Sequence, residues 1–230
     1  MKKLGLVGGT SWVSTIDYYR LINEKVNQHL GEMNYAECII YSLNYEEVKN
    51  NNERRDFDAN LQLVGGACRH LELAGADALV LCANTTHMFA HQLVGFTRLP
   101  VIHIAEATAD AILKQGLQKV ALLGTRMTME LDFFKAILAA KNIEMMIPGD
   151  AEREIIHRSI FDELGKGLML PATRENYLQI IRSLILGGAE GIIFGCTEIP
   201  MLIKPEDVAV PVFDTLAIHA EAAARFAVGA

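Results

Sequence analysis

The chain has 230 residues, of which 51% are hydrophobic and 21% charged, and a formal net charge of −7. This apolar content can form a well-buried core, in one large domain or in two small ones. A negative net charge without a basic stripe argues against nucleic acid as a partner. The apolar runs end near ~10 residues, too short for a membrane-spanning helix, and the N-terminus lacks the pattern of a signal peptide. We therefore expect a cytoplasmic protein with no membrane partner.

Strands and helices alternate along the first half of the chain. Leu4–Val7 is a predicted strand, and Gly8–Ser11 is the loop after it. The segment Thr15–Leu30 has the period of an amphipathic helix. Its predicted apolar face consists of Ile16, Tyr19, Ile22 and Val26. The elements predicted next are a strand (Cys38–Ser42), a polar loop (Asn50–Arg55), a helix (about Asp58 to Ala74), a strand (Ala78–Leu81), a short helix (His87–Leu93) and a strand (Val101–Ile104).

The second half repeats this order. Its predicted elements are a strand (Val120–Leu123), a helix (near Met129–Lys141), a strand (Glu144–Ile147), two helices (Glu152–Leu164 and Pro171–Leu186) and two strands (Gly191–Phe194 and Val212–Phe213). Strands that alternate with helices at this spacing are typical of an α/β fold with parallel sheets.

Two matched segments indicate that the chain is an internal duplication. ADALVLCANTTH (76–87) and AEGIIFGCTEIP (189–200) align 113 residues apart, and the prolines at 100 and 211 align 111 residues apart. A period of this length is that of a small α/β domain. We therefore expect two similar parallel-sheet domains, one of residues 1–98 with about 208–230 and the other of residues 99–207.

Each matched segment ends in a polar cluster that directly follows a predicted strand. Ligands of open α/β sheets bind at the carboxyl ends of the strands. Cys196 opens one of these clusters, which makes it a candidate reactive thiol. The four cysteines, Cys38, Cys68, Cys82 and Cys196, have no metal-ligand spacing, so we expect free thiols and no metal site.

Three motifs, in order, resemble the aspartate/glutamate racemase family: GLVGGTSWVSTIDYY near the start, Asn84–His87, and GCTEIP at Gly195–Pro200. The resemblance covers essentially the full length and is greatest to L-aspartate/glutamate and broad-specificity members. It implies an amino-acid racemase that needs no pyridoxal phosphate or other cofactor. It also implies an active site in the cleft between two similar domains, where one thiol from each lies on opposite faces of the substrate Cα.

The sequence departs from the family pattern where the first thiol is expected. Ala83 stands immediately before Asn84, and the nearest thiol, Cys82, lies one residue earlier. Some relatives have threonine at this position, but alanine neither gives nor takes a proton. The second base is then Cys82 after a local shift, a water, or a neighbour such as Thr10 or His87. A decarboxylase or cis–trans isomerase with one thiol, and an inactive member that binds amino acids or dicarboxylates, remain alternatives.

Thr and Asn side chains at strand–helix junctions can hold a substrate carboxylate, and the resemblance implies that the loop with Asn52 and Arg54 contacts the side-chain carboxylate. The candidates are Thr10, Asn52, Arg54, Asn84, Thr85, Thr197 and Glu198. Glu198 is equally a candidate for a helix-start carboxylate that satisfies backbone N–H groups and for a group that orients Cys196. An arginine can pair bidentately with a distal carboxylate. The expected partner is an acidic amino acid, and the expected assembly is a homodimer.

Overall fold

The computed structural model describes all residues from 1 to 230, and the chain divides into two compact units. The first consists of Met1–His103 and His219–Ala230, and the second of Ile104–Ile218. Each unit holds a four-stranded parallel sheet with helices around it. The predicted α/β class with two parallel sheets is therefore confirmed, whereas the domain limits given above stay a prediction.

The strands, in chain order, are β1 (Leu4–Gly8), β2 (Cys38–Ser42), β3 (Ala78–Leu81), β4 (Val101–Ile102), β5 (Lys119–Leu123), β6 (Glu144–Met146), β7 (Gly191–Phe194) and β8 (Val212–Asp214). The helices are α1 (Trp12–Leu30), α2 (Tyr45–Glu53), α3 (Phe57–Leu73), α4 (Ile104–Lys114), α5 (Arg126–Glu130), α6 (Asp132–Ala140), α7 (Asp150–Asp162), α8 (Pro171–Leu186), α9 (Ile199–Leu202) and α10 (Thr215–Val228). Short 3₁₀ turns cover Thr85–Phe89, Gln92–Gly95, Leu164–Lys166 and Pro205–Asp207. None of the helices combines the length and the apolar run needed to cross a bilayer.

The sheet of the first unit has the strand order β2-β1-β3-β4. All five residues of β1 and all four of β3 are buried, as expected for parallel strands covered on both faces. Val7 packs in one cluster with residues of α3, and a Cβ at Gly5 would lie 3.1 Å from Leu71 of the same helix. Because successive residues alternate across a strand, Leu4 and Leu6 are directed to the opposite face of the sheet.

The sheet of the second unit has the equivalent order, β6-β5-β7-β8. Alternate residues of β5 enter different cores. Val120 and Leu122 pack with buried residues of α4 and α6, whereas Ala121 and Leu123 pack with residues of α7 and α8. Both faces of β5 are therefore covered by a core. This explains why its sequence is a continuous apolar run.

The buried face of α1 differs from the predicted one. Ile16 and Tyr19 are 54% and 49% exposed, and the buried residues include Tyr18 as well as the expected Ile22 and Val26. A Cβ at Gly8 would lie 2.5 Å from the Thr15 side chain, so α1 approaches β1 closely at this end. This close approach favours the small Ser14 and Thr15 on the inner face. Trp12, the first residue of α1, is 69% exposed.

The predicted polar loop Asn50–Arg55 is wrong in large part, because α2 continues to Glu53. Asparagine has a low helix propensity. Here the buried Asn51 is hydrogen-bonded to the buried Asn60 of α3, and this tertiary contact outweighs the local preference.

Two further boundaries differ from the predictions. The strand expected at Val101–Ile104 ends at Ile102, and α4, which the periodicity did not predict, begins at Ile104. The helix expected near Met129–Lys141 is divided into α5 and α6 at Leu131, whose backbone is extended.

Candidate active site

In the second unit, the thiol of Cys196 lies in a hydrogen-bonded cluster immediately after β7. Cys196 Sγ donates to Glu198 Oε2 at 2.8 Å. The Thr197 hydroxyl donates to the same carboxylate oxygen at 2.9 Å. The carboxylate is therefore the common acceptor of the cluster, and it is placed to receive a proton from the thiol.

Two glycines allow the backbone to take this path. A Cβ at Gly195 would lie 2.8 Å from the side chain of Leu122 and 3.0 Å from the carbonyl oxygen of Leu123. A Cβ at Gly124 would lie 3.1 Å from the carbonyl oxygen of Gly195. A side chain at either position would push the ends of β5 and β7 apart and displace Cys196.

The surroundings of Cys196 favour its protonated form. Burial raises the pKa of the Cys196 thiol well above its usual value, and the charge and hydrogen bond of Glu198 raise the pKa further. Cys196 is nevertheless partly exposed. Reactive cysteines usually have a lowered pKa. The pKa of Cys196, by contrast, is raised. In the resting site Cys196 is a thiol, and it loses its proton only when Glu198 or another base accepts it.

In the first unit, the segment after β3 is held by its own side chains. The carbonyl oxygen of Ala83 accepts hydrogen bonds from the Thr86 hydroxyl at 2.7 Å and from His87 Nδ1 at 2.9 Å. Ala83 and Thr85 are partly exposed, and Asn84 is buried. Cys82 is fully buried, its thiol points to the carbonyl oxygen of Val80 at 3.7 Å, and burial raises its pKa.

The loop after β1 lies at the same edge of the sheet, because β1 and β3 are parallel neighbours. Gly9 has φ +87°, and a Cβ there would lie 2.1 Å from the carbonyl oxygen of Leu43, so glycine is required. The amide of Gly9 donates to the Thr15 hydroxyl at 3.0 Å, and that hydroxyl donates to the Ser11 carbonyl at 2.9 Å. The hydroxyl of Thr10 is buried and has no hydrogen-bond partner.

The ring of His87 contacts two further histidine rings of the first unit. The ring centroid of His87 lies 4.8 Å from that of His103 and 5.1 Å from that of His219. His219 Nε2 lies 2.7 Å from the carbonyl oxygen of Ile102, which can only accept, so Nε2 carries the proton of the neutral ring. His219 Nδ1 therefore accepts from the Tyr18 hydroxyl at 2.8 Å. Burial lowers the pKa of His103 and of His219 to about 4 and lowers the pKa of His87 as well. The cluster is therefore uncharged at neutral pH.

The candidate residues from the end of α2 form a separate group in the first unit. Asn52 is partly exposed and Arg54 is exposed. Arg54 donates to Asn51 at 2.8 Å, and Asn60 donates to Asn52 at 2.8 Å. Asn51 and Asn60 were not predicted from the sequence as functional residues. The polar pattern at positions 50–52 was visible, but a buried asparagine cannot be told from a solvated one without its partner on α3.

The structure thus places the candidate residues in three groups. Cys196, Thr197 and Glu198 are in direct contact, and Asn52 and Arg54 share one hydrogen-bond network. The third group, Thr10, Ala83, Asn84 and Thr85, lies at one edge of the first sheet. No group of three or more His, Cys, Asp or Glu side chains is arranged to hold a metal ion. The roles assigned to these residues stay predictions.

These features define an α/β protein with two parallel sheets and a thiol–carboxylate pair after a strand. The Asp/Glu/hydantoin racemase family profile matches residues 7–223. The chain therefore belongs to the Asp/Glu/hydantoin racemase family. The resemblance predicted from the three motifs is confirmed, as is the prediction of an isomerase family.

Solved structures and a curated relative agree with this assignment. A Yersinia pestis protein of the Asp/Glu racemase type is 45% identical, with a TM-score of 0.94 over 99% of this chain and 100% of that chain. An aspartate racemase homologue from Pyrococcus horikoshii is 37% identical, with a TM-score of 0.85 over 99% and 100% of the two chains. The Bacillus subtilis broad specificity amino-acid racemase RacX is 22% identical over 95% of each chain.

Proposed function

We propose that the protein is a cofactor-independent amino-acid racemase that acts on an acidic amino acid, with the Cys196 thiol as its acid and base. The observation that carries this proposal is the hydrogen bond of 2.8 Å from Cys196 Sγ to Glu198 Oε2. Membership of the Asp/Glu/hydantoin racemase family supports the reaction type. The names of two relatives, an aspartate racemase homologue and a broad specificity racemase, support amino acids as the substrate class.

The pair works as a proton exchanger. In one direction Cys196 passes its proton to Glu198, and the thiolate then removes the proton of the substrate Cα. The first direction leaves a protonated Glu198 beside a neutral thiol. In the other direction this thiol gives its proton to the carbanion, and the thiolate then takes back the proton that Glu198 holds. Each step moves one proton and breaks no other bond. General acid–base catalysis of this kind contributes about 10²–10⁴-fold.

Neutral donors stabilise the charge that develops on the substrate. Asn84, Thr85 and Thr10 lie at the carboxyl ends of neighbouring strands, where open α/β sheets bind their ligands. Their amide and hydroxyl groups hold the α-carboxylate and its enolate-like form. Asn52 and Arg54 hold the second carboxylate.

Ala83 is the observation that favours a second candidate function. Alanine has no protic side chain, so position 83 supplies no acid or base. Cys196 then serves only one face of the substrate Cα. A decarboxylase or a cis–trans isomerase of the same superfamily needs one thiol only. Racemisation requires in addition that water or another group deliver the proton to the second face.

Proton NMR in deuterium oxide, combined with chiral analysis, separates these functions. With L-aspartate and L-glutamate, a racemase exchanges the α-proton and inverts the configuration. Exchange without inversion indicates a single-base enzyme, and no exchange contradicts the proposed racemase. Cys196→Ser should abolish exchange while it leaves the thermal midpoint nearly unchanged, and Cys38→Ser is the matched control. Full exchange in Cys196→Ser would remove Cys196 from the mechanism.

A further inference from the structure

Polar side chains at the end of α2 form a hydrogen-bonded chain that runs from a guanidinium to a backbone carbonyl. Arg54 Nη2 donates to Asn51 Oδ1 at 2.8 Å, and Asn51 Nδ2 donates to Asn60 Oδ1 at 3.0 Å. Asn60 Nδ2 then donates to the carbonyl oxygen of Val48 at 3.2 Å and to Asn52 Oδ1 at 2.8 Å. Asn51 and Asn60 are 7% and 2% exposed. Their bond to each other and the bond to Val48 are buried, whereas the bonds to Arg54 and Asn52 are partly buried.

The direction of this chain follows from the chemistry of its two ends. A guanidinium can only donate, and a backbone carbonyl can only accept. Asn51 must therefore present its oxygen to Arg54 and its nitrogen to Asn60. Asn60 in turn must present its nitrogen to Val48 and Asn52. The oxygen of Asn52 is held by this bond, and its amide nitrogen remains as a free donor on a partly exposed residue.

No carboxylate neutralises the positive charge of Arg54. Its side chain contacts the neutral Asn51, is exposed and makes no ion pair. Arg126, by contrast, lies 2.6 to 3.0 Å from three different carboxylates. An arginine held by neutral amides is available to an external anion, whereas an arginine held by carboxylates is neutralised.

We propose that Asn51 and Asn60 are positioning residues that set selectivity for acidic substrates. They hold the Asn52 amide with its nitrogen free and fix the Arg54 guanidinium, so that both residues donate to the distal carboxylate of the substrate. This inference rests on the proposed function for its substrate class. It concerns binding only, and it can be tested without turnover.

Asn60→Asp tests the proposal because it reverses the polarity of the chain at constant volume. The new carboxylate accepts from the Asn52 nitrogen, so the Asn52 amide turns over and offers its oxygen to the substrate carboxylate. We expect the Kd of succinate, an unreactive dicarboxylate, to rise about 10- to 100-fold in calorimetric titrations, because a donor to a charged group is replaced by an acceptor. Arg55→Ala is the matched control, since Arg55 is an exposed neighbour with no side-chain hydrogen bond.

The double variant Asn60→Asp with Asn52→Ala distinguishes positioning from general damage. Asn52→Ala alone should weaken succinate binding, because it removes a donor. Added to Asn60→Asp, it should strengthen binding, because it removes the misdirected oxygen. Loss of structure around α2 would not produce this reversal of sign. If Asn60→Asp does not fold, Asn51→Asp starts the same reversal of hydrogen-bond direction from the Arg54 end of the hydrogen-bonded chain.

Each outcome decides the proposal. Unchanged affinity in Asn60→Asp, a double variant no better than Asn60→Asp alone, or no binding of succinate and L-aspartate by the wild type overturns it. Binding that follows the expected pattern, in a protein that does not exchange the α-proton of L-aspartate, supports the positioning role and contradicts the proposed racemase.

Discussion

Glu198→Gln is expected to make the Cys196 thiol easier to ionise and, at the same time, to slow turnover. A thiolate and a carboxylate 2.8 Å apart repel each other by about 6 kcal/mol at an effective dielectric constant of about 20. The carboxylate charge is shared between two oxygens and Cys196 is partly exposed, which reduces the repulsion to roughly 3 kcal/mol. Glutamine removes this repulsion, so more of Cys196 is thiolate at any pH below its pKa. A less basic thiolate is also less nucleophilic, which leaves a net gain in alkylation rate of about tenfold.

Turnover should change in the opposite direction. Glutamine cannot accept the thiol proton, so kcat should fall by about 10²–10⁴-fold. Alkylation of Cys196 by iodoacetamide is followed by peptide mass spectrometry between pH 6 and pH 9, with Cys38 as the internal reference. Glu206→Gln removes the same charge from an exposed position of the second unit and is the matched control. Unchanged or slower alkylation of Cys196 in Glu198→Gln would refute the reasoning.

Three further predictions follow from other parts of the structure. Ala83→Cys should raise racemisation of aspartate or glutamate by about 10²–10⁴-fold in chiral assays, while Cys82→Ala should leave it unchanged; no gain from Ala83→Cys would favour a single-thiol reaction. Burial lowers the pKa of His219 to about 4 from the usual 6.5, so the unfolded chain takes up this proton first and stability falls as the pH drops from about 6.5 to about 4. His219→Gln should make this loss shallower in urea unfolding, and equal slopes would contradict it. Gly65→Ala should lower the free energy of unfolding by about 1–3 kcal/mol, because its Cβ would lie 2.3 Å from the ring of Phe96; an unchanged urea midpoint would show that the ring moves aside.

The parts of the fold that the sequence predicted well are those in which local pattern and tertiary burial agree. Ala78–Leu81 and Gly191–Phe194 were predicted with their observed limits, because strands covered on both faces are continuous apolar runs. The polar residues after these two strands stand out in the sequence because they come directly after an apolar run. This made Cys196 visible from sequence, although its hydrogen bond to Glu198 and the direction of its pKa shift required coordinates.

The parts that the sequence did not predict depend on specific side-chain partners on other elements of the fold. The inner face of α1 contains Tyr18 because its hydroxyl meets His219, 201 residues later. Asn51 lies in a helix because Asn60 supplies its hydrogen-bond partner. The partner of Tyr18 lies outside any window of about 18 residues. Asn60 lies within such a window, but a side-chain hydrogen bond between two helices leaves no trace in the hydrophobic periodicity.

The first unit is assembled from two separated stretches of the chain, and this determines the order in which the protein can be completed. Lys2 donates to the carbonyl oxygen of Ala227 at 2.9 Å, and the partner of Tyr18 lies in α10. Domains usually form in the order of synthesis, with the N-terminal one first. Here the second unit, Ile104–Ile218, is continuous and is synthesised before His219–Ala230. The unit whose synthesis begins first is therefore completed last. A chain truncated before His219 has every residue of the second unit but lacks the part of α10 that belongs to the first.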